Sequence, residues 1–155
     1  MSEQANASES TGAPAGARAA LSLALRLCLG GLMAWAGFAK LQDPAAFAEE
    51  IGNYRLLPTL APLASVTLPM VELFGGLALF APRGPWRQGA ALLNLGLLAV
   101  FTVAVTSTRV RGIDLSCGCF GTGSSPVTWW TVLRDLALVA WASAIVYLER
   151  APARR

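Results

Sequence analysis

Four apolar runs of about 20 residues constrain this chain more than any other feature, because a helix of that length crosses a hydrocarbon core roughly 30 Å thick. They lie at about residues 18–38, 61–81, 88–107 and 129–148. Hydrophobic residues make up 55% of the 155 residues and charged residues 14%, whereas a soluble domain would divide its apolar residues into short periodic faces. We therefore predict an all-α integral membrane protein, a bundle of four transmembrane helices.

The segments outside these runs set the limits of the domain. Residues 1–17 are rich in Ala, Ser, Gly and Glu without apolar periodicity, and we predict that they form a disordered cytoplasmic tail. Residues 18–149 are predicted to be the transmembrane domain, and residues 150–155 a basic C-terminal tail. The first run resembles a signal peptide in position, but it is longer than a signal core and three more runs follow, so we expect it to stay attached.

The segment KLQDPAAFAEEIGNYRLLP, between the first two runs, predicts a short additional helix. Asp43 is a favourable N-cap and Pro44 fits the first helical position. Phe47, Ile51 and Tyr54 then share one face. We expect this helix to lie at the membrane surface or to fold over the bundle.

Basic residues outside the runs indicate the orientation. Six lie on the side of the termini (Arg18, Arg83, Arg87, Arg150, Arg154 and Arg155) and four on the other side (Lys40, Arg55, Arg109 and Arg111). The positive-inside rule then predicts cytoplasmic termini and puts the two long loops on the extracytoplasmic face. Because the basic residues are scattered rather than massed, no nucleic-acid partner is predicted.

The sequence CGCFG in the last long loop carries two cysteines, Cys117 and Cys119, on the predicted extracytoplasmic side, where disulfides form and persist. A disulfide across one residue closes a very small ring, and strained, exposed disulfides exchange readily. A redox-active pair is therefore one interpretation. An inert bridge that tightens the loop and a pair of packed free thiols are the alternatives. No metal site is predicted, since two thiolates are too few for zinc and the chain has no His, although copper(I) would be the softer exception.

Cys28 lies about ten residues from either end of the first run. It should be too far from the loop cysteines to bridge them, because the Cα atoms of a disulfide lie within about 7 Å of each other. We expect it to pack in the core of the bundle.

Glu72 falls near the middle of the second run, where a carboxylate needs a partner, a cavity or a proton. Arg26 in the first run is the expected partner, because the two residues should lie at similar depths in antiparallel helices. The pair would either hold the bundle together or line a substrate, quinone or proton site.

Arg134 and Asp135 lie about one and a half turns into the last run, just below the cysteine loop. Neighbouring residues on a helix point in different directions, so we expect them to pair with other helices or with the loop rather than with each other. Lys40 or Arg111 is the expected partner of Asp135. An arginine near the thiols would also favour the reactive thiolate. Arg134 and Asp135 are therefore expected to support the cysteine pair.

These motifs together resemble a known family. GFAKLQDPAAFAEEIGNYRLLP, LPMVELFGGLALF, CGCFG and the RD pair occur in the order seen in the methylamine-utilisation MauE-like proteins, relatives of the DoxX-like four-helix membrane proteins. The resemblance covers about residues 20 to 148. The positions carried over from it are Lys40, Asp43, Pro44, Tyr54, Pro58, Pro69, Glu72, Cys117, Gly118, Cys119, Phe120, Gly121, Arg134 and Asp135.

The resemblance implies a bacterial inner-membrane protein that assists maturation or export of a periplasmic disulfide-rich protein, the small subunit of methylamine dehydrogenase, beside a thioredoxin-like partner. One hypothesis is thus a membrane thiol-disulfide oxidoreductase component that uses Cys117 and Cys119. The second is a non-redox scaffold or small-solute carrier that uses Glu72 and Arg26. The chain shows no cofactor motif, and a quinone is considered as electron acceptor. The partners considered are the lipid bilayer, a client protein, and further copies of this chain in a homo-oligomer.

Overall fold

The fold is a helical bundle, as the apolar runs predict. The computed structural model describes residues 15–55, 58–113, 116–117, 125–126 and 128–150. Its helices are α1 (Ala15–Leu41), α2 (Pro44–Asn53), α3 (Ala61–Ala78), α4 (Pro85–Val110) and α5 (Trp129–Arg150), with a 3-10 turn at Pro58–Leu60. All except α2 are long and apolar enough to cross a membrane, so the predicted four-span, all-α class is confirmed.

Two of the helices begin or end at other residues than predicted. α1 begins at Ala15, before the predicted boundary at residue 18. The remaining parts of the predicted tails, residues 1–14 and 151–155, lie outside the described residues. α4 is longer than predicted at both ends. It begins with Pro85 in its first turn, and the Thr108 hydroxyl near its end donates to its own helix, at the Val105 carbonyl.

The short helix α2 forms as predicted, because its first turn is capped. The Asp43 carboxylate accepts a hydrogen bond of 3.0 Å from the Ala46 amide, and Pro44 opens the helix. Phe47 is buried on the inner face, and α2 packs mainly on α3. Of the two predicted placements, the structure therefore selects the helix folded over the bundle.

The first and third helices make the closest contact in the bundle, through glycines. A Cβ built at Gly76 would lie 2.6 Å from the Ala34 amide nitrogen and 2.7 Å from the Gly30 carbonyl. A Cβ at Gly37 would lie 2.5 Å from the Pro69 carbonyl. No side chain fits at these positions, so small residues let the two backbones touch, as in many membrane helix pairs.

The other long helices complete the core. α4 packs mainly on α5, and the buried apolar cluster between the helices includes Leu29, Leu79, Leu98 and Ile145. Large apolar side chains such as Trp35, Phe74, Val100, Val103 and Tyr147 are exposed around the outside. A bundle with an apolar exterior is suited to lipid rather than to water.

Cys28 does not pack in the core as predicted, because its side chain is exposed on the outer face of α1. The core positions of that part of α1 are Leu29 and Met33, which lie one and five residues further on. Depth along a span therefore did not reveal which way the side chain faces. The error is one of rotation around the helix axis rather than of depth.

A short antiparallel pair of two-residue strands, β1 (Ser116–Cys117) and β2 (Ser125–Pro126), lies between α4 and α5. We call this end of the bundle, which also holds α2, the cysteine end. The opposite end holds the start of α1, the α3–α4 connection and the end of α5, and we call it the terminal end.

Candidate functional site

The buried ion pair Lys40–Glu72 joins the last turn of α1 to the middle of α3. The Lys40 ammonium donates to both oxygens of the Glu72 carboxylate, at 2.7 and 2.6 Å. The two side chains are 4% and 2% exposed. A charge so buried is stable only when its partner and hydrogen bonds offset the loss of water, and here each ion supplies both to the other.

Aromatic rings close the site around the ammonium. The Lys40 Nζ lies 5.3 Å from the ring centre of Phe47 and 5.0 Å from that of Phe101. Both distances are within the range of cation–π attraction. Since Lys40 is on α1, Glu72 on α3, Phe47 on α2 and Phe101 on α4, four helices meet at this ion pair.

The predicted pairing of Glu72 with Arg26 is wrong, and the register of α1 against α3 explains why. Gly37 packs beside Pro69 and Leu73, so Lys40, about one turn further along α1, is the residue that reaches Glu72. Arg26 lies toward the other end, where its guanidinium donates to the Leu79 carbonyl at 3.3 Å. The two residues therefore do not form a shared substrate site.

Arg26 instead belongs to an ion cluster at the terminal end. Arg87 donates to one oxygen of Glu149 at 2.9 and 2.7 Å, and Arg26 lies 3.6 Å from the other oxygen. The Ser22 hydroxyl also reaches that second oxygen, at 3.4 Å. The cluster joins α1, α4 and α5, so the bundle has separate buried ion pairs at its two ends.

Arg134 and Asp135 pair with each other, contrary to the prediction. The Arg134 guanidinium donates to Oδ1 of Asp135 at 3.1 and 2.9 Å. Its long side chain folds back along the helix surface, which sequence spacing alone does not reveal. Neither predicted partner contacts Asp135: Lys40 binds Glu72, and Arg111 donates to the Tyr54 carbonyl at 3.2 Å.

Asp135 keeps one acceptor available. Its side chain is buried, and Oδ2 has no hydrogen-bond partner among the residues that the structure describes. A buried carboxylate oxygen without a donor is costly, and such groups are common where a proton or a donor arrives during function. Asp135 therefore keeps, within the described part of the chain, an unpartnered acceptor oxygen near the start of α5.

Tyr54, the residue that follows α2, places its phenol near Asp135. Burial, followed by the nearby charges of Glu50 and Asp135, raises the pKa of Tyr54 to about 12. Burial also raises the pKa of Glu50, which Lys40 partly opposes. The Tyr54 phenol thus stays protonated at neutral pH beside Asp135.

The cysteine motif follows α4 and precedes α5 at this same end. The Cys117 backbone pairs with Ser125, and α5 begins soon after at Trp129, whose ring lies 5.8 Å from the Arg109 guanidinium. The Cys117 side chain, Gly118 and Cys119 lie outside the described residues. The redox pair therefore stays a prediction.

Comparison with known protein families assigns the chain to a family. The sequence-family model described as methylamine utilisation protein MauE matches residues 18–148 of the chain. The chain belongs to the MauE family. Every residue of the two ion clusters falls within the match except Glu149, which lies one position beyond it. With four helices able to cross a membrane, this MauE-family chain is a membrane protein.

Curated relatives agree with the MauE assignment. The chain is 38% identical to the methylamine utilization protein MauE of Paracoccus denitrificans over 125 residues, which is 79% of this chain and 66% of the relative. It is 37% identical to that of Paracoccus versutus over 122 residues, 77% of this chain and 64% of the relative. The matches thus span just under two thirds of the relatives' lengths. No solved structure matches the chain.

Sequence reasoning missed Arg87, Glu149 and Asn94 in this MauE-family bundle. Arg87 was counted as a loop residue, yet it is buried and paired with Glu149. Asn94 lies inside α4, where its amide donates to the Gly75 carbonyl at 2.9 Å and so joins α4 to α3. The available signal was a polar residue within or at the edge of an apolar run, since such residues rarely face lipid.

Proposed function

We propose that this MauE-family protein acts in methylamine utilisation by assisting the maturation of a periplasmic disulfide-containing protein through Cys117 and Cys119. The observation that carries the proposal is the position of the motif. Its chain segment joins α4 to α5 at the end where the Arg134–Asp135 pair, the Tyr54 phenol and the Lys40–Glu72 pair are gathered. The names of the curated relatives support the metabolic context.

The proposed chemistry is thiol–disulfide exchange. A client thiolate attacks one sulfur of the Cys117–Cys119 disulfide and forms a mixed disulfide, while the other cysteine leaves as a thiolate. A second client thiolate then attacks the mixed disulfide, so the client gains a disulfide and the pair is left as a dithiol. The dithiol is re-oxidised when two electrons and two protons pass to an acceptor, for which we propose a membrane quinone that becomes a quinol.

Two described residues support this chemistry. The Arg134 guanidinium holds the Asp135 carboxylate in place, since it donates to Oδ1 at 3.1 and 2.9 Å. The Oδ2 of Asp135, unpartnered among the described residues, offers a hydrogen-bond acceptor near the start of α5. Both lie on α5 rather than in the cysteine pair itself, and we assign them a supporting role.

The proposed setting is the bacterial inner membrane, with cytoplasmic termini and the cysteine end in the periplasm. The excess of basic residues on the side of the termini supports this orientation. The proposed partners are the client subunit and a thioredoxin-like protein, both soluble in the periplasm, where dithiols are oxidised.

Mixed-disulfide trapping tests the function. In cells that express methylamine dehydrogenase, the Cys117 thiolate of a Cys119→Ser variant should attack a client disulfide in the reverse of the proposed step, releasing one client thiolate. The resulting mixed disulfide should persist until a reductant is added. Cys28→Ser is the matched control, because Cys28 is exposed on the outer face of α1. We expect it to change neither the adduct nor the yield of mature client.

The double variant Cys117→Ser, Cys119→Ser decides the proposal. We expect the client small subunit to lose its correct disulfides in cells that carry it. Normal maturation of the client with both cysteines replaced would overturn a redox role for the motif.

A further inference from the structure

The ion cluster at the terminal end contains more positive than negative charge. Arg26 and Arg87 share the single carboxylate of Glu149, so these three residues carry a net charge of +1. Their side chains are 11%, 8% and 3% exposed. Little water is available at this depth to stabilise the excess charge, so a nearby anion would be strongly attracted.

A further arginine lies near this cluster at the surface. Arg83 lies in the α3–α4 connection, exposed and close enough to Arg26 for the two charges to repel. Among the residues that the structure describes, Glu149 is the acidic residue at this end, because the others lie on α2, in the middle of α3 or at the start of α5. The terminal end therefore attracts anions where the helices leave the membrane.

An apolar groove reaches the same end of the bundle. It has a volume of about 730 Å³, lies between α3 and α4, and is lined by residues such as Phe74, Ala78, Trp86, Gly89 and Leu93. Ala78 directly precedes Leu79, whose carbonyl binds Arg26, and Trp86 directly precedes Arg87. The groove therefore runs along the outside of the bundle and ends at the level of the basic cluster.

We infer that the terminal end binds an anionic phospholipid, with its phosphate at Arg83 and Arg26 and one acyl chain in the α3–α4 groove. Guanidinium groups donate charge-assisted hydrogen bonds to phosphate oxygens. The apolar groove lining, exposed on the outside of the bundle, suits a hydrocarbon chain but not a free anion. The site lies at the opposite end of the bundle from the cysteine motif, so it is independent of the proposed redox function.

Lipid titration of the purified full-length protein tests the inference. Native mass spectrometry in detergent would count bound phosphatidylglycerol, and thermal unfolding would report the stabilisation. We expect phosphatidylglycerol to bind and to raise the melting temperature, whereas phosphatidylcholine with the same acyl chains should bind far more weakly. Inorganic phosphate alone should give no protection.

Variants separate the headgroup from the chain. Arg83→Gln removes one charged donor and should weaken phosphatidylglycerol binding by about tenfold. Gly89→Leu should weaken it as well, because a Cβ at Gly89 meets no atom within 4 Å and the larger side chain then fills the groove. Arg150→Gln is the matched control, since Arg150 is also exposed at the terminal end, and it should change the affinity by less than about twofold.

Three outcomes would overturn the inference. Equal binding of phosphatidylcholine and phosphatidylglycerol would show that the arginines select no headgroup. An equal loss in the Arg83→Gln and Arg150→Gln variants would show a general charge effect. Protection by inorganic phosphate as strong as that by the lipid would show an ion site without a role for the groove.

Discussion

At the scale of single residues, the Lys40–Glu72 pair shows how a charged group is kept inside a membrane bundle. Each ion is almost completely buried, and both carboxylate oxygens accept hydrogen bonds from one ammonium. Removing one partner leaves the other ion buried without compensation, whereas removing both replaces the pair by apolar packing. The effect of a substitution at Lys40 on stability therefore depends strongly on which residue occupies position 72, and the reverse.

We expect Lys40→Met to lower the free energy of unfolding by about 3 to 5 kcal/mol, because the Glu72 carboxylate is left unpaired. The double variant Lys40→Met, Glu72→Leu should recover most of that loss. Thermal unfolding in detergent, followed by tryptophan fluorescence, measures both effects. Glu49→Gln serves as the control, because Glu49 is exposed on α2 and its replacement should be close to neutral. A double variant as unstable as Lys40→Met would contradict the expected interdependence.

At the scale of the elements, the contact between α1 and α3 decides which charges can meet. Gly30, Gly37 and Gly76 bring the two backbones together at two levels, and this sets the register of one helix against the other. In this register Lys40 meets Glu72, while Arg26 reaches Leu79 and Glu149. The glycines were recognisable from the sequence as packing residues, but the register was not, because it depends on which small residues face each other.

Gly76→Leu should separate α1 from α3 and destabilise the bundle by more than about 2 kcal/mol, since even a Cβ would collide with backbone atoms. Gly31→Ala is the matched control on α1: a Cβ there meets no atom within 4 Å, and the change should be neutral within about 1 kcal/mol. Melting temperatures in detergent compare the two variants. If Gly76→Leu melted at the temperature of the parent protein, the close backbone contact would be wrong.

At the scale of the whole molecule, the bundle separates two chemically different ends. The cysteine end gathers a buried acid–base pair, a phenol held protonated and the start of the cysteine loop. The terminal end gathers arginines around one glutamate beside an apolar groove. Such a division agrees with the two proposals, which put thiol–disulfide exchange at the cysteine end and lipid binding at the terminal end.

Labelling of single cysteines tests the proposed orientation. In a background with all three cysteines replaced by serine, Asn53→Cys should react in whole cells with a membrane-impermeant maleimide, since Asn53 is exposed at the cysteine end. Pro82→Cys, exposed at the terminal end, should react only after the membrane is broken. Neither substitution changes a charge, so the basic residues that direct insertion are preserved. The reverse labelling pattern would contradict cytoplasmic termini.

The sequence by itself determined the four spans, the capped helix α2 and the position of the cysteine loop between the last two spans. These features depend on local properties, namely hydropathy over about 20 residues and capping within one helical turn. The tertiary structure alone decided that Glu72 binds Lys40, that Arg87 and Glu149 pair across 62 positions of the chain, and that Cys28 faces outward. Those outcomes depend on the rotation and register of whole helices, which the packing of residues far apart in the sequence sets.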